Sequence, residues 1–137
     1  MSALRRLLLG SGRLPEHLRV QLLADDVLVL EEGLFGSVTY RNYRAPGRRT
    51  TLRKQAVSGA IAMTADRLVV WAGGMKHIDV PRGNALWRAT DVQAETPEQV
   101  RLAYDAGATN TALSGRVEVR LHTGQAARIA ELHAYVE

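Results

Sequence analysis

The residues best suited to chemistry lie between positions 41 and 54. Arg41, Arg44, Arg48, Arg49, Arg53 and Lys54 fall in this stretch, and no acidic residue separates them. Arginine presents a planar fork of N–H donors that matches two oxygens of a carboxylate or phosphate at once. The stretch is therefore the candidate binding site, for an anion or for a partner; the competing reading is a solvated hairpin with no further task. Pro46-Gly47 in its middle is a strong turn pair. A sheet edge in this region invites addition of a strand from a peptide or from a second copy, and the same arginines would equally serve to guard against it.

Other constellations lack parts. His17, His77, His122 and His133 have at most one neighbouring acid each, Asp79 for His77 and Glu137 for His133. A zinc site takes three or four ligands, so neither pair suffices. All four histidines read as surface or half-buried packing. His122 has one alternative, an anion pocket where it meets Thr123 at the start of a helix. In Asp25-Asp26 and Glu31-Glu32, neighbours on a strand point to opposite faces, so these acids read as solvated charges. Neither a phosphate-cradling loop nor a Gly-x-Ser-x-Gly elbow is present. No catalytic residue, metal or cofactor is expected.

The chain has 137 residues, enough for one domain with a substantial core. Its net charge of +4 favours anionic surfaces, whether an acidic protein, a membrane or nucleic acid. Aromatic residues make up only 5%, which counts against a platform for stacked bases. Cysteine is absent, which excludes disulfides and thiolate sites and agrees with a cytoplasmic protein. At the N-terminus, Arg5 and Arg6 precede only Leu7, Leu8 and Leu9 before Gly10. An export signal needs about 7 to 15 apolar residues, so residues 1–13 read as a flexible leader and 14–137 as the domain.

Turn signals recur along the rest of the chain, as in a small antiparallel β protein. Leu14, Leu18 and Leu22 recur at helical spacing behind Pro15, predicting a short helix that Asp25-Asp26 ends. Val27 to Leu30 begins the β region, and residues 33–44 continue it. Residues 59–81 read as three strands broken at Ala65-Asp66 and Gly73-Gly74. Further strands are expected over 85–93, 99–104 and 116–122, with a mobile loop over 105–115. Trp71 and Trp87 read as core or rim. Arg67 reads as a hairpin fastener, through Asp66 or a more distant carboxylate. Ile129, Leu132 and Val136 form one stripe of a closing helix, with Thr123 placed to cap its first turn.

About seven antiparallel strands followed by one amphipathic helix resemble the pleckstrin-homology superfold. Residues 59–70, GAIAMTADRLVV, are similar to a hairpin of bacterial pleckstrin-homology-like and GRAM-like domains, and Val80-Pro81 after Gly73-Gly74 is similar to the next strand end. The resemblance implies a bent β-sandwich or partly open barrel, mainly β, with a C-terminal helix. It also implies a noncatalytic binding or assembly module for protein segments or anionic lipid headgroups, which would place the protein in the cytoplasm, free or at the inner membrane surface. Self-assembly into a homo-oligomer is a further expectation. Residues 41–54 do not reproduce the lysine and arginine spacing of phosphoinositide-binding members. The alternatives are nucleic-acid binding through the same basic segment and a small-ligand carrier, which needs inward polar residues that the strand pattern does not supply.

Overall fold

The computed structural model describes residues 12–108 and 110–135. Helix α1 (Glu16–Leu23) comes first. Strand β1 (Val27–Ala45) turns at Pro46-Gly47 into β2 (Arg48–Thr64), and the two form one long hairpin. Strands β3 (Arg67–Ala72) and β4 (Met75–Pro81) follow, then a short helix α2 (Ala85–Ala89). Strand β5 (Asp91–Thr96), strand β6 (Gln99–Asp105), a 3-10 turn at Ala106–Ala108, strand β7 (Ser114–His122) and helix α3 (Ala126–Ala134) complete the order. The strands make a single antiparallel sheet, ordered β4-β3-β2-β1-β7-β6-β5 and not closed into a barrel. The mainly β fold class expected from the sequence is the one observed.

One face of the sheet holds the main core. Val38, Val57, Ile61, Met63, Leu68, Val70, Val100, Leu102, Val117, Val119 and Leu121 gather there with Trp87 of α2 and Ala126 and Ile129 of α3. A helix as short as α3 is marginal alone in water, and burial of its stripe supplies what it lacks. Leu132 packs on the same cluster; Val136 lies outside the described residues. The α2–α3 contact is a reciprocal latch. Trp87 Nε1 donates to the His133 carbonyl at 3.1 Å, His133 Nε2 donates to the Trp87 carbonyl at 2.7 Å, and the rings stack at 5.2 Å.

The opposite face is covered at one end only. Leu14, Leu18 and Leu22 of the α1 region bury against Ala60, Ala62 and Val69, flanked by Leu30 and Trp71. Each leucine contributes roughly 1.5–3 kcal/mol by leaving water, which holds down a helix with no side-chain cap. Glu32 fastens the same helix by accepting from the Leu14 N–H at 2.8 Å and from Arg19 at 2.9 Å.

Five expectations change. Residues 85–89 of the expected strand are helical, because the Asn84 side chain accepts from the Leu86 N–H at 2.9 Å and starts a helical turn. Glu31 and Glu32 are not simply solvated: Glu32 holds α1, and Glu31 accepts the Thr123 hydroxyl hydrogen bond. Thr123 in turn accepts from the Gln125 N–H at 3.0 Å, and Gln125 stands at the helix cap itself. Gly12, read as part of the flexible leader, is buried at φ +69°, where a Cβ would lie 2.9 Å from the Gly33 Cα. Its carbonyl accepts from the Gly33 N–H at 2.7 Å; residues 1–11 lie outside the described residues. The 105–115 segment is anchored at its start by buried Ala106 and by Asp105 Oδ1, which accepts from the Gly107 N–H at 2.8 Å.

Candidate functional site

The distal half of the β1–β2 hairpin carries all six predicted site residues. Its pairing is continuous from Leu34↔Gly59 to Ala45↔Arg48, which sets Thr39 against Lys54, Tyr40 against Arg53, Arg41 against Leu52 and Arg44 against Arg49. On its other side β1 is paired with β7 from Gly36↔Leu121 to Arg44↔Ser114. Asn42 at φ 49° and Gly115 at φ 105° take up an irregularity in that pairing, where a Cβ on Gly115 would lie 2.5 Å from the Asn42 carbonyl oxygen. β2 differs from β1 in one respect. Its pairing with β3 begins only at Gly59↔Ala72, so among the described residues no strand lies on the outer side of residues 48–56.

The six cations divide. Arg41 Nε donates to Glu118 Oε1 at 2.9 Å. Among the described residues no carboxylate pairs with Arg44, Arg48, Arg49, Arg53 or Lys54, all of which are exposed. Leu52 stands among them with 62% of its surface exposed. Tyr40 and Tyr43 meet edge to face at 5.1 Å and stiffen the hairpin from the core side. Burial, and then Tyr43, push the Tyr40 hydroxyl above its ordinary pKa against the opposing fields of Arg53 and Arg48.

The neighbouring strands treat arginine differently. Lys54, Thr39, Glu118, Ala103 and Asp91 lie in one row across β2, β1, β7, β6 and β5. Glu118 is buried, with Arg41 at 2.9 Å, Arg120 at 3.4 Å, Arg116 at 3.6 Å and Arg101 at 3.9 Å. Burial pushes its pKa up, but the hydrogen bond and charge of Arg41, with Arg120, outweigh that and hold it below the ordinary carboxylate value. Asp91 takes Arg101 at 2.8 Å and Arg116 at 3.4 Å, and Glu95 takes Arg120 at 3.0 Å. On β3 and β4, Arg67 grips both oxygens of Asp79 at 2.7 Å, so the fastener reaches the more distant carboxylate and not Asp66.

No protein-family model, curated protein or solved structure matches this chain. Among the described residues no group of three His, Asp or Glu is placed to hold a metal ion, and no helix is long and apolar enough to cross a membrane.

A small pocket of about 190 Å³ opens between β4, α2 and the end of β6. It contains inward polar groups that the strand pattern did not supply. His77 Nδ1 lies 2.8 Å from the Tyr104 hydroxyl, and burial lowers the His77 pKa and raises that of Tyr104. Sequence gave no signal for this pair, because β4 is irregular between Val70 and Trp71 of its partner strand and turns His77 inward. The two groups satisfy each other, and Asp79 in the same wall is held by Arg67. His122 is exposed and stacks on Phe35 at 5.9 Å beside Lys54 and Arg120, whose guanidinium is already engaged by Glu95 and Glu118. The unspent chemistry of the described surface is concentrated on the hairpin. The Glu118 hub was legible in principle: Arg116, Glu118 and Arg120 alternate along β7 and so share one face.

Proposed function

We propose that this chain is a noncatalytic binding module, pleckstrin-homology-like in its arrangement, that engages an anionic partner through the free edge of β2. One observation carries the reading. Among the described residues Arg48, Arg49, Arg53 and Lys54 line a strand edge without carboxylate partners, whereas Arg41, Arg67, Arg101, Arg116 and Arg120 all have them. Lys76, Arg88 and Arg128 are also free of carboxylates among the described residues, but they sit singly on β4, α2 and α3. Charges left unpaired on one edge, at 18 basic against 14 acidic residues overall, favour encounter with an anionic surface. The antiparallel strand order with a helix after the last strand supports the pleckstrin-homology-like arrangement. An acidic protein segment or the anionic inner surface of a membrane meets the same requirement.

The test is co-sedimentation with anionic and neutral vesicles, alongside binding of a labelled acidic peptide, at about 0.15 M salt where bulk screening is strong. The expected result is binding to an anionic probe that is lost in Arg48→Glu/Arg49→Glu. Equal behaviour of the native and charge-reversed proteins with every anionic probe removes the reading.

A further inference from the structure

Resting on that reading, we infer that the partner is an extended acidic protein segment, which joins the sheet as an eighth strand along residues 48–56 of β2. The backbone makes the first half of the case. Every second residue of an edge strand turns its N–H and C=O outward, unpaired and ready for another strand. The open stretch spans roughly 30 Å, long enough for a full-length strand contact. The sheet's terminal strands are poorer hosts: β4 ends at Pro81, which lacks an N–H, and α3 packs beside β5.

The side chains select the occupant. Two copies of this edge would bring Arg48, Arg49, Arg53 and Lys54 against their own like charges, so the cations that disfavour a second copy favour an acidic segment. Pairing with β1 is regular here, so side chains alternate strictly between the two faces of the sheet. Arg48, Leu52 and Lys54 share one face, and Arg49 and Arg53 share the other. A strand lying antiparallel, the more stable pairing, therefore meets Lys54, Arg53, Leu52, Thr51, Thr50, Arg49 and Arg48 in that order. The complementary segment reads acid-acid-apolar-x-x-acid-acid. Carboxylates at those four places meet four exposed cations, and an apolar side chain covers Leu52, which is otherwise left 62% exposed.

The probe is a labelled peptide containing Glu-Glu-Val-Thr-Thr-Glu-Glu, beside a twin N-methylated at alternate backbone nitrogens and a counterpart with lysine in place of glutamate. Binding is followed by anisotropy, and amide hydrogen exchange is read on the full-length protein. The acidic peptide is expected to bind and to slow exchange within residues 48–56. N-methylation on the ladder-facing side, or Arg48→Glu/Arg49→Glu, weakens it at least about tenfold. The lysine peptide binds the native protein poorly, and a Glu-Glu-Val-Thr-Thr-Lys-Lys peptide, whose lysines meet the two introduced glutamates while its glutamates still meet Lys54 and Arg53, recovers binding with the charge-reversed variant. If the N-methylated twins bind as well as the parent, or exchange at 48–56 is unchanged, strand addition is overturned while the basic surface stands. If anionic vesicles bind and the peptide does not, the surface serves a membrane and the peptide assignment is overturned. If no anionic probe distinguishes native from variant, both fall.

Discussion

On β6 and β7 every arginine faces a carboxylate, whereas on β2 no arginine does among the described residues. The two regions belong to one sheet and carry the same residue type, so the difference lies in what surrounds it. Around Glu118 the arginine side chains are from 19% to 49% exposed and share one buried carboxylate, an arrangement that fixes side chains and joins β1, β6 and β7. Along β2 the arginines are exposed and hold no carboxylate among the described residues. Paired arginines in this protein serve the fold, and the unpaired ones are those to which the proposed binding role is assigned.

The largest effect should come from the paired set. Removing the Glu118 carboxylate leaves four arginines around a buried neutral site, and Glu118→Ala is expected to cost about 2–3 kcal/mol, at or below the lower end of the range for a fully desolvated pair because the arginines keep some water. Urea unfolding at pH 7 measures it, and a loss under about 0.5 kcal/mol would mean that the network is ornamental, like many surface ion pairs. Next comes Asp79→Asn. It removes the two-pronged grip of Arg67 across β3 and β4, both side chains being about a quarter exposed, and should cost about 1 kcal/mol.

Acid should separate the sets further. Glu118, Glu95 and Glu32 have native pKa values below the ordinary 4.5. Below 4.5 the unfolded chain therefore takes protons first, and the stability these carboxylates contribute at higher pH is lost as pH falls through their native values. His77 acts higher on the scale. Its native pKa lies below the ordinary 6.5 because burial disfavours the charged ring, so stability begins to decline as pH drops below 6.5. Unfolding midpoints between pH 7.5 and 3.5 should show both declines in the native protein. His77→Gln should lack the upper one, and Glu118→Gln should flatten the lower one. A native profile flat down to pH 4.5 would contradict the inward position of His77.

How much of this was readable beforehand follows from the range of each interaction. The leucine spacing of α1, the Pro46-Gly47 turn and the alternation of Val117, Val119 and Leu121 are local signals, and the elements formed where they stood. Asn84 is a local signal too: its side chain caps the helix at Ala85–Ala89, where the apolar residues Leu86 and Trp87 suit a strand equally well. The candidate residues were legible as a run of like charge. What was not legible is which would be neutralised, since Arg41 meets Glu118 only after β1 and β7 pair across 77 positions of chain. The free edge of β2 was likewise hidden, because it depends on β3 being shorter than the strand it joins.

The smallest stability effect, and the most informative, belongs to the hairpin. Arg44 and Arg49 stand directly opposite each other in the β1–β2 ladder, and like charges in that relation repel. Arg49→Glu turns the pair into an attractive one, so it should leave stability unchanged or raise it by about 0.2–1 kcal/mol. Arg48 faces Ala45 and has no carboxylate to lose, so Arg48→Glu should stay within about 0.5 kcal/mol of native. The double variant should thus fold at least as well as the native chain while losing the anionic partner. A residue set that weakens its own fold, and whose removal costs only binding, is explained by what it binds. If instead the double variant unfolds at distinctly lower urea, Arg48 and Arg49 have an intramolecular role, and the division between the two sets of arginines would have to be redrawn.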